Sequence, residues 1–309
     1  MRRHAAALQK DSYLPRVEAQ PQHLVLMTSN EGKTPAHLQL KHELDKGLAV
    51  FRFELECPFS FQPGQYATLW LTHRGQTTPR PYSIASSPSE TRTLEFYINL
   101  VDSGHLTPSF WNPEVLHALQ RRDADTQLLI SGPKGRFTLD PNETRDLVFV
   151  ASGTGLAPFM SMIRKLNEDY LSSPATFRRR SIFVIHGVSL PKHLGYRDEL
   201  ELLAAETLRD PARRLAITYL PTISRPRMDS AWNGLTGRAE TLFDGYSSSV
   251  SQVRSLQALV CGMLNTVVRP ETHEVYICGY PGTVDNMVRS LASRGFKPDL
   301  DLKREKYYP

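Results

Sequence analysis

The chain has 309 residues, 37 basic and 32 acidic, for a formal net charge of +5, with 40% hydrophobic and 22% charged residues. That balance excludes a largely disordered chain and gives no basis for a nucleic-acid-binding surface, while the small positive excess favours an acidic protein partner by electrostatic steering. Cys57, Cys261 and Cys278, odd in number and far apart, exclude a disulfide framework and cannot supply the four thiolates of an iron–sulfur cluster, so any cluster is expected on a partner.

The first residues are basic, and their one apolar run, Ala5 to Leu8, is too short for a secretory core, while Asp11 and Glu18 count against a transit peptide. No apolar run approaches the roughly 20 residues that cross a bilayer. The expectation is a cytoplasmic monomer without membrane insertion, with residues 1–22 as an N-terminal tail.

From about Leu24 to Leu139, short apolar runs (LAVFRFEL, YATLWL, LEFYINLV, QLLISG) alternate with Gly, Pro, Ser and Asp. Strands at that density predict a small antiparallel β-barrel over residues 23–142. Pro63-Gly64 and Gly132-Pro133 read as turns. After Pro141 the runs LVFVAS, SIFVIHG, LAITYLP and EVYICG are continuous and β-branched, as buried parallel strands are, with helical stretches such as Phe159 to Leu171 and Asp198 to Leu208 between them. A further helix in TVDNMVRSLASRGF is ended by Gly295. Residues 143–309 are therefore expected to form a doubly wound parallel-sheet α/β domain with its ligand at the strand ends. The stretch from Tyr246 to Val268 gives no clear pattern.

Several segments carry side chains suited to chemistry. Arg80-Pro81-Tyr82-Ser83 offers a guanidinium fork for pyrophosphate, a flat ring with a hydroxyl and a short hydrogen bond, or else is an exposed strand start. Gly153-Thr154-Gly155 stands between an apolar run and a helical pattern, where a phosphate-binding turn belongs, although Pro158 replaces the third glycine of the dinucleotide fingerprint; a ligand-free tight turn has the same pattern. Ser224-Arg225 and Arg238 offer guanidinium groups that suit the 2′-phosphate of NADP better than the bare ribose of NAD, or are solvated loop residues. Cys278, after a buried strand, opens Cys-Gly-Tyr-Pro-Gly, and a small core residue is the ordinary role of such a cysteine.

In their order and spacing, RPYSIASSP, SGTGLAP, CGYPG and the final EKYYP resemble the ferredoxin–NADP reductase family, flavoenzymes that exchange electrons between a nicotinamide and a one-electron protein carrier. The resemblance, from Leu24 to Pro309, implies that Arg80 contacts the FAD pyrophosphate, with Pro81 in the same signature, that Tyr82 packs on the isoalloxazine, and that Ser83 lies near N5, where hydride arrives. Tyr97, Ile98 and Asn99 match a second flavin-contacting strand. His105, Leu106 and Thr107 match a turn whose N–H groups and hydroxyl bind phosphate. Thr154 is implied near both cofactors, and Ser224, Arg225 and Arg238 at the 2′-phosphate, with Ser189 where some bacterial members carry another arginine.

By the same resemblance Cys278 is catalytic through its position beside the nicotinamide, not as a nucleophile, and Gly279, Tyr280 and Pro281 let the nucleotide approach. Glu305 joins Ser83 in a proton network, and the terminal tyrosines supply an aromatic gate over the flavin, which the alignment puts at Tyr307 with Tyr308 toward the adenine, while which of the two stacks stays open. The implied cofactors are FAD and NADP, with no metal, and the implied partner is an acidic ferredoxin or flavodoxin. The alternatives are a reductase component of an oxygenase system and a flavin-bearing subunit of a larger complex.

Overall fold

Six strands fill the first half: β1 (Lys33–Asp45), β2 (Leu48–Leu55), β3 (Tyr66–His73), β4 (Gln76–Ser83), β5 (Thr93–Asn99) and β6 (Thr126–Lys134). They pair antiparallel in the order β4-β3-β6-β1-β2-β5, and a bridge between Ile84 and Phe96 links the two outer strands, closing the expected barrel. In this computed structural model, residues 32–243 and 256–308 are described, all within one compact unit. The expected tail at 1–22, the start of the first domain at 23–31, residues 244–255 and Pro309 lie outside the described residues.

Strand β3 alternates as a half-buried strand does, with Ala67, Leu69 and Leu71 inward. Strands β2 and β5 are covered on both faces: Phe51, Phe53, Leu94 and Phe96 fill the barrel, whereas Leu48, Val50 and Tyr97 pack on the second half of the chain. That is why LAVFRFEL and LEFYINLV read as almost unbroken apolar runs. Pro63-Gly64 is a turn, but Gly132-Pro133 lies inside β6. There the β1 ladder has already ended at Ser131 and the β3 register shifts between Tyr66 and Thr68, so the missing proline N–H falls at an irregularity. Helix α1 (Pro113–Arg121), which the sequence pattern does not predict, is capped by Asn112, whose side chain accepts from the N–H of Glu114; with Phe110, its Val115 and Leu119 complete the barrel core.

The second half builds the expected parallel sheet from β7 (Asp146–Ser152), β8 (Arg180–Val188), β9 (Leu215–Ile223), β10 (Leu235–Thr236), β11 (His273–Gly279) and β12 (Leu302–Lys306), in the order β10-β9-β8-β7-β11-β12. Helices α2 (Ala157–Ser172) and α3 (Arg197–Arg209) cover one face, where Leu147, Phe149 and Ala151 point. Helices α4 (Leu256–Val267) and α5 (Pro281–Ala292) cover the other, against Val148 and Val150. Helix α5 stops three residues before Gly295, whose φ of +91° turns the chain away. Among the described residues no helix is long and apolar enough to cross a membrane.

Helix α2 is wedged between barrel and sheet, with Phe159, Met160, Met162 and Ile163 fully buried and Phe159 stacked on Phe149 at 4.7 Å. Its Arg164 reaches both halves. The guanidinium donates to Glu199 of α3 at 2.8 and 2.7 Å, to Glu95 of β5 at 2.8 Å and to the carbonyl of Ala85 at 2.9 Å. Tyr196 adds a hydrogen bond to the same Glu95 oxygen at 3.0 Å, and Glu168 accepts from Ser87 and Ser89 of the barrel at 2.7 and 2.6 Å. Removing Arg164 would leave Glu95 with Tyr196 and with Arg52 at 3.7 Å and would take the partner from Glu199 and the Ala85 carbonyl, at a cost of about 1.5 to 3 kcal/mol. Arg164→Met should lower unfolding stability in urea by about that amount, and Arg164→Met with Glu95→Met should recover part of it. A loss below about 1 kcal/mol for the single variant would show an ordinary surface pair instead.

Candidate active site

The order of the second sheet reverses between β7 and β11, the topological switch point at which open α/β sheets bind ligands. The two strand ends approach closely there because each carries a glycine. A Cβ on Gly155 would lie 2.3 Å from the carbonyl oxygen of Cys278, and one on Gly279, at φ +130°, would lie 2.4 Å from that of Ser152. Gly153 to Leu156 form a single 3-10 turn that leads into α2, with Pro158 in its first turn, where a missing N–H costs nothing.

A cleft of about 1520 Å³ runs from this switch point to the barrel. Arg80, Pro81, Tyr82 and Ser83 line it from β4, Tyr97, Ile98, Asn99 and His105 to Thr107 from β5 and the following turn, and Thr154, Ser224, Arg238, Tyr280, Glu305, Tyr307 and Tyr308 from the second half. Four of the singled-out residues lie off its wall: Arg225, Cys278, Gly279 and Pro281. Cys278 is fully buried beneath the cleft, and Pro281 is the first residue of α5. Ile98 and Leu106 send their side chains into the barrel core.

Two hydroxyls expected to face a ligand are taken up by the protein. Thr107 Oγ1 accepts from the N–H of Val101 at 3.0 Å and lies 3.2 Å from its carbonyl, closing the 101–107 turn upon itself. Tyr97 donates to the carbonyl of His193 at 2.8 Å and accepts from the N–H of Gly195 at 3.2 Å, tying the barrel to the loop after β8. Asn99 bonds the neighbouring carbonyl of Leu100 at 3.1 Å.

At the inner end of the cleft the halves meet. Ser83 Oγ donates to Glu305 Oε1 at 3.0 Å, although 222 residues separate them. Burial raises the Glu305 carboxyl above its ordinary range, and the Ser83 hydrogen bond only partly offsets it. Burial, reinforced by the Glu305 charge, pushes the Cys278 thiol well up, so it stays neutral and unreactive. Tyr82 and Tyr307 are likewise raised, chiefly by burial. The hydroxyl of Tyr307 is buried close to the Ser83 and Cys278 side chains and makes no well-formed hydrogen bond among the described residues. A flat heteroaromatic ring in the cleft would meet an aromatic side chain from each half and a partner for that hydroxyl, so the residues fit a flavin. Further along, neither Arg225 nor Arg238 makes a hydrogen bond or ion pair with its guanidinium among the described residues, which leaves both free for an anion.

The sequence reading missed the groups that hold this arrangement from behind. His186 in β8 is completely buried, and its Nε2–H donates to the carbonyl of Gly153 at 3.1 Å. Burial holds its pKa down to about 4, so the ring is neutral and keeps that donor in place beneath the Gly153-Thr154 turn. Tyr66 lines the cleft, and its ring would stand 3.0 Å from a Cβ on Gly135. Asp45 bridges the halves at the rim, 2.9 Å from Lys192 Nζ and 2.8 Å from His193 Nε2. The alternating run before Gly47 and the HGV tripeptide were visible signals, but nothing in them named these partners.

A barrel with a flavin-sized cleft against a parallel sheet whose switch point faces it defines an FAD- and nicotinamide-nucleotide-binding oxidoreductase. Residues 35–139 match the oxidoreductase FAD-binding domain and residues 149–289 the oxidoreductase NAD-binding domain. Ferredoxin–NADP reductase B of Sorangium cellulosum is 30% identical over 234 residues, covering 76% of this chain and 80% of that protein. The chain belongs to the ferredoxin–NADP reductase family. The phenol hydroxylase P5 protein of Acinetobacter pittii is 27% identical over 264 residues, 85% of this chain, which spans 62% of that longer protein. Among solved structures, a ferredoxin NADP+ reductase from Neisseria gonorrhoeae with bound FAD and NADP superposes with a TM-score of 0.66 at 22% identity, covering 90% of this chain and 99% of the other, and so shares the fold.

The thiols give a direct check of the packing. Iodoacetamide at pH 8 should label exposed Cys57 quickly and leave Cys278 unmodified until the protein unfolds, read by peptide mass spectrometry. Rapid labelling of Cys278 in the folded protein would contradict the buried, neutral thiol.

Proposed function

We propose that this protein takes a hydride from NADPH and passes electrons singly to a protein carrier, most simply a ferredoxin or flavodoxin. The observation that carries the reading is the contact of Ser83 from the barrel with Glu305 from the second sheet at 3.0 Å, beside the buried hydroxyl of Tyr307. A donor held by the second half and an acceptor held by the first can meet at that point.

FAD, when bound, supplies the change from two-electron to one-electron transfer, chemistry that side chains do not offer. Arg80, Tyr82 and the 105–107 turn would hold it. Glu305, with its raised proton affinity, and Ser83 can hold or pass a proton at the inner end of the cleft. The Gly153-Thr154 turn, supported by His186, and Gly279 let a dinucleotide approach the main chain, and alignment of the reacting atoms there is the chief catalytic contribution. Tyr307 covers the nicotinamide's place and excludes water until the dinucleotide displaces it, a step able to limit turnover.

The guanidiniums of Arg225 and Arg238, which have no partner among the described residues, support NADPH over NADH, because a 2′-phosphate takes charge-assisted hydrogen bonds that a bare ribose cannot. The net charge of +5 supports an acidic carrier. A second reading is favoured by the phenol hydroxylase relative: the acceptor would then be part of an oxygenase system, with any iron–sulfur cluster outside these 309 residues.

Anaerobic stopped-flow mixing of the flavin-loaded protein should show fast bleaching by NADPH, slower bleaching by NADH, and reoxidation by one class of carrier when ferredoxin, flavodoxin or an oxygenase component is added. A loaded flavin that neither nucleotide reduces would overturn the reading. In Arg225→Ala with Arg238→Ala, the preference for NADPH over NADH should fall by about 2 to 5 kcal/mol. An unchanged preference would remove both arginines from nucleotide recognition.

A further inference from the structure

Tyr307 follows directly on β12, and its own N–H donates to the carbonyl of Gly279 at 2.9 Å, beyond the last paired residues Gly279 and Lys306. Side chains two apart on a strand share a face, so Glu305 and Tyr307 both turn toward the cleft. The Tyr307 ring packs against the core between the halves and its hydroxyl is buried. The ring is packed on its core side and faces the cleft on the other, so how readily it leaves its place depends on how firmly the strand end that carries it is held.

Just before that strand end Arg304 pairs with Asp299 at 3.2 Å, and among the described residues two polar side-chain ties hold the last two strand residues themselves. One is Ser83 to Glu305, which belongs to the reacting centre. The other is Lys306, whose ammonium lies 2.7 Å from Asp285 Oδ1 on α5. Lys306 lines the cleft but Asp285 does not, so Asp285 acts on the site only through the position of the strand. Beyond them Tyr308 is 75% exposed.

We propose that the Lys306–Asp285 pair is a latch that keeps Tyr307 in its covering position and so sets how often the nicotinamide finds its place open. The inference rests on the gate role given to Tyr307 above. A ligand that needs a fractionally populated state binds with its affinity reduced by that fraction. Loosening the latch enlarges the open fraction and tightens binding of the nicotinamide end alone. The two side chains are 29% and 54% exposed, so their attraction is modest and screened by salt, which suits the tuning of an equilibrium. Asp285 is then a positioning residue for a reaction it does not touch.

The test uses the flavin-loaded full chain, titrated with NADP+ by the flavin difference spectrum and with 2′,5′-ADP, which lacks the nicotinamide, by calorimetry. Asp285→Asn should tighten NADP+ roughly two- to five-fold and leave 2′,5′-ADP unchanged, while Asp285→Glu, which keeps the carboxylate, should behave as the wild type. Added salt should favour NADP+ relative to 2′,5′-ADP in the wild type, and that difference should vanish in Asp285→Asn. Tyr307→Ser separates the two ideas. If it tightens NADP+ and Asp285→Asn does not, the latch is wrong and the gate stands; if neither variant tightens NADP+, the gate falls and the latch with it.

Discussion

The site depends on one partly buried guanidinium. Arg164 stands on the helix that fills the core between the two halves and binds Glu95 and the Ala85 carbonyl of the barrel together with Glu199 of the second half. Ala85 is two residues from Ser83, so the group that joins the halves also fixes the strand end that carries the Ser83 hydroxyl to Glu305. Tyr196, bonded to the same Glu95, stands edge-on to Tyr97 at 5.5 Å and extends that constraint along the next strand. Apolar burial around α2 supplies most of the adhesion, but it is non-directional. The charged cluster has one arrangement in which every member is paired, and that arrangement sets how the two cleft walls face each other.

Within that frame, the chemistry sits where the main chain comes closest to itself. Glycine at 155 and 279 lets two parallel strand ends touch, and the β11–β12 ladder pairs Cys278 with Glu305 and so carries the acid to the barrel. Burial at the cleft's inner end raises the proton affinity of Glu305 and silences the Cys278 thiol. Where side chains are partly shielded from water, hydrogen bonds and charges act at greater strength, which favours a preorganised pair such as Ser83–Glu305 over a flexible one. At the far end, Arg238 lines the cleft with no guanidinium partner among the described residues, in contrast with Arg164 and Arg145, which are paired with carboxylates.

Much of this was legible in the chain. The alternation in YATLWL and the unbroken runs LVFVAS and EVYICG identified strands of two different kinds, because a strand covered on one face and a strand covered on both leave different periodicities. The order of RPYS, SGTG, CGYPG and EKYYP named the family and most of the cleft wall, since turns and glycines express local backbone demands that a sequence writes directly. Helix α1 escaped although Asn112-Pro113 and the spacing of Val115, Leu116, Ala118 and Leu119 carry a helical signal, because it is only nine residues long and stands between strands; Gly132-Pro133 misled because a turn dipeptide also fits an irregular strand.

The sequence by itself determined the central strands of both sheets, the helices α2, α3 and α5, most of the tight turns and which motifs exist, all of them properties of residues within a few positions of one another. Only the tertiary structure decided that Thr107 and Tyr97 spend their hydroxyls within the protein, that His186 supports Gly153, that Asp285 holds Lys306, and that Ser83 meets Glu305 across 222 residues. Those contacts depend on how two separately coded halves pack, and a side chain's partner is then set by distance in space, which local periodicity does not contain.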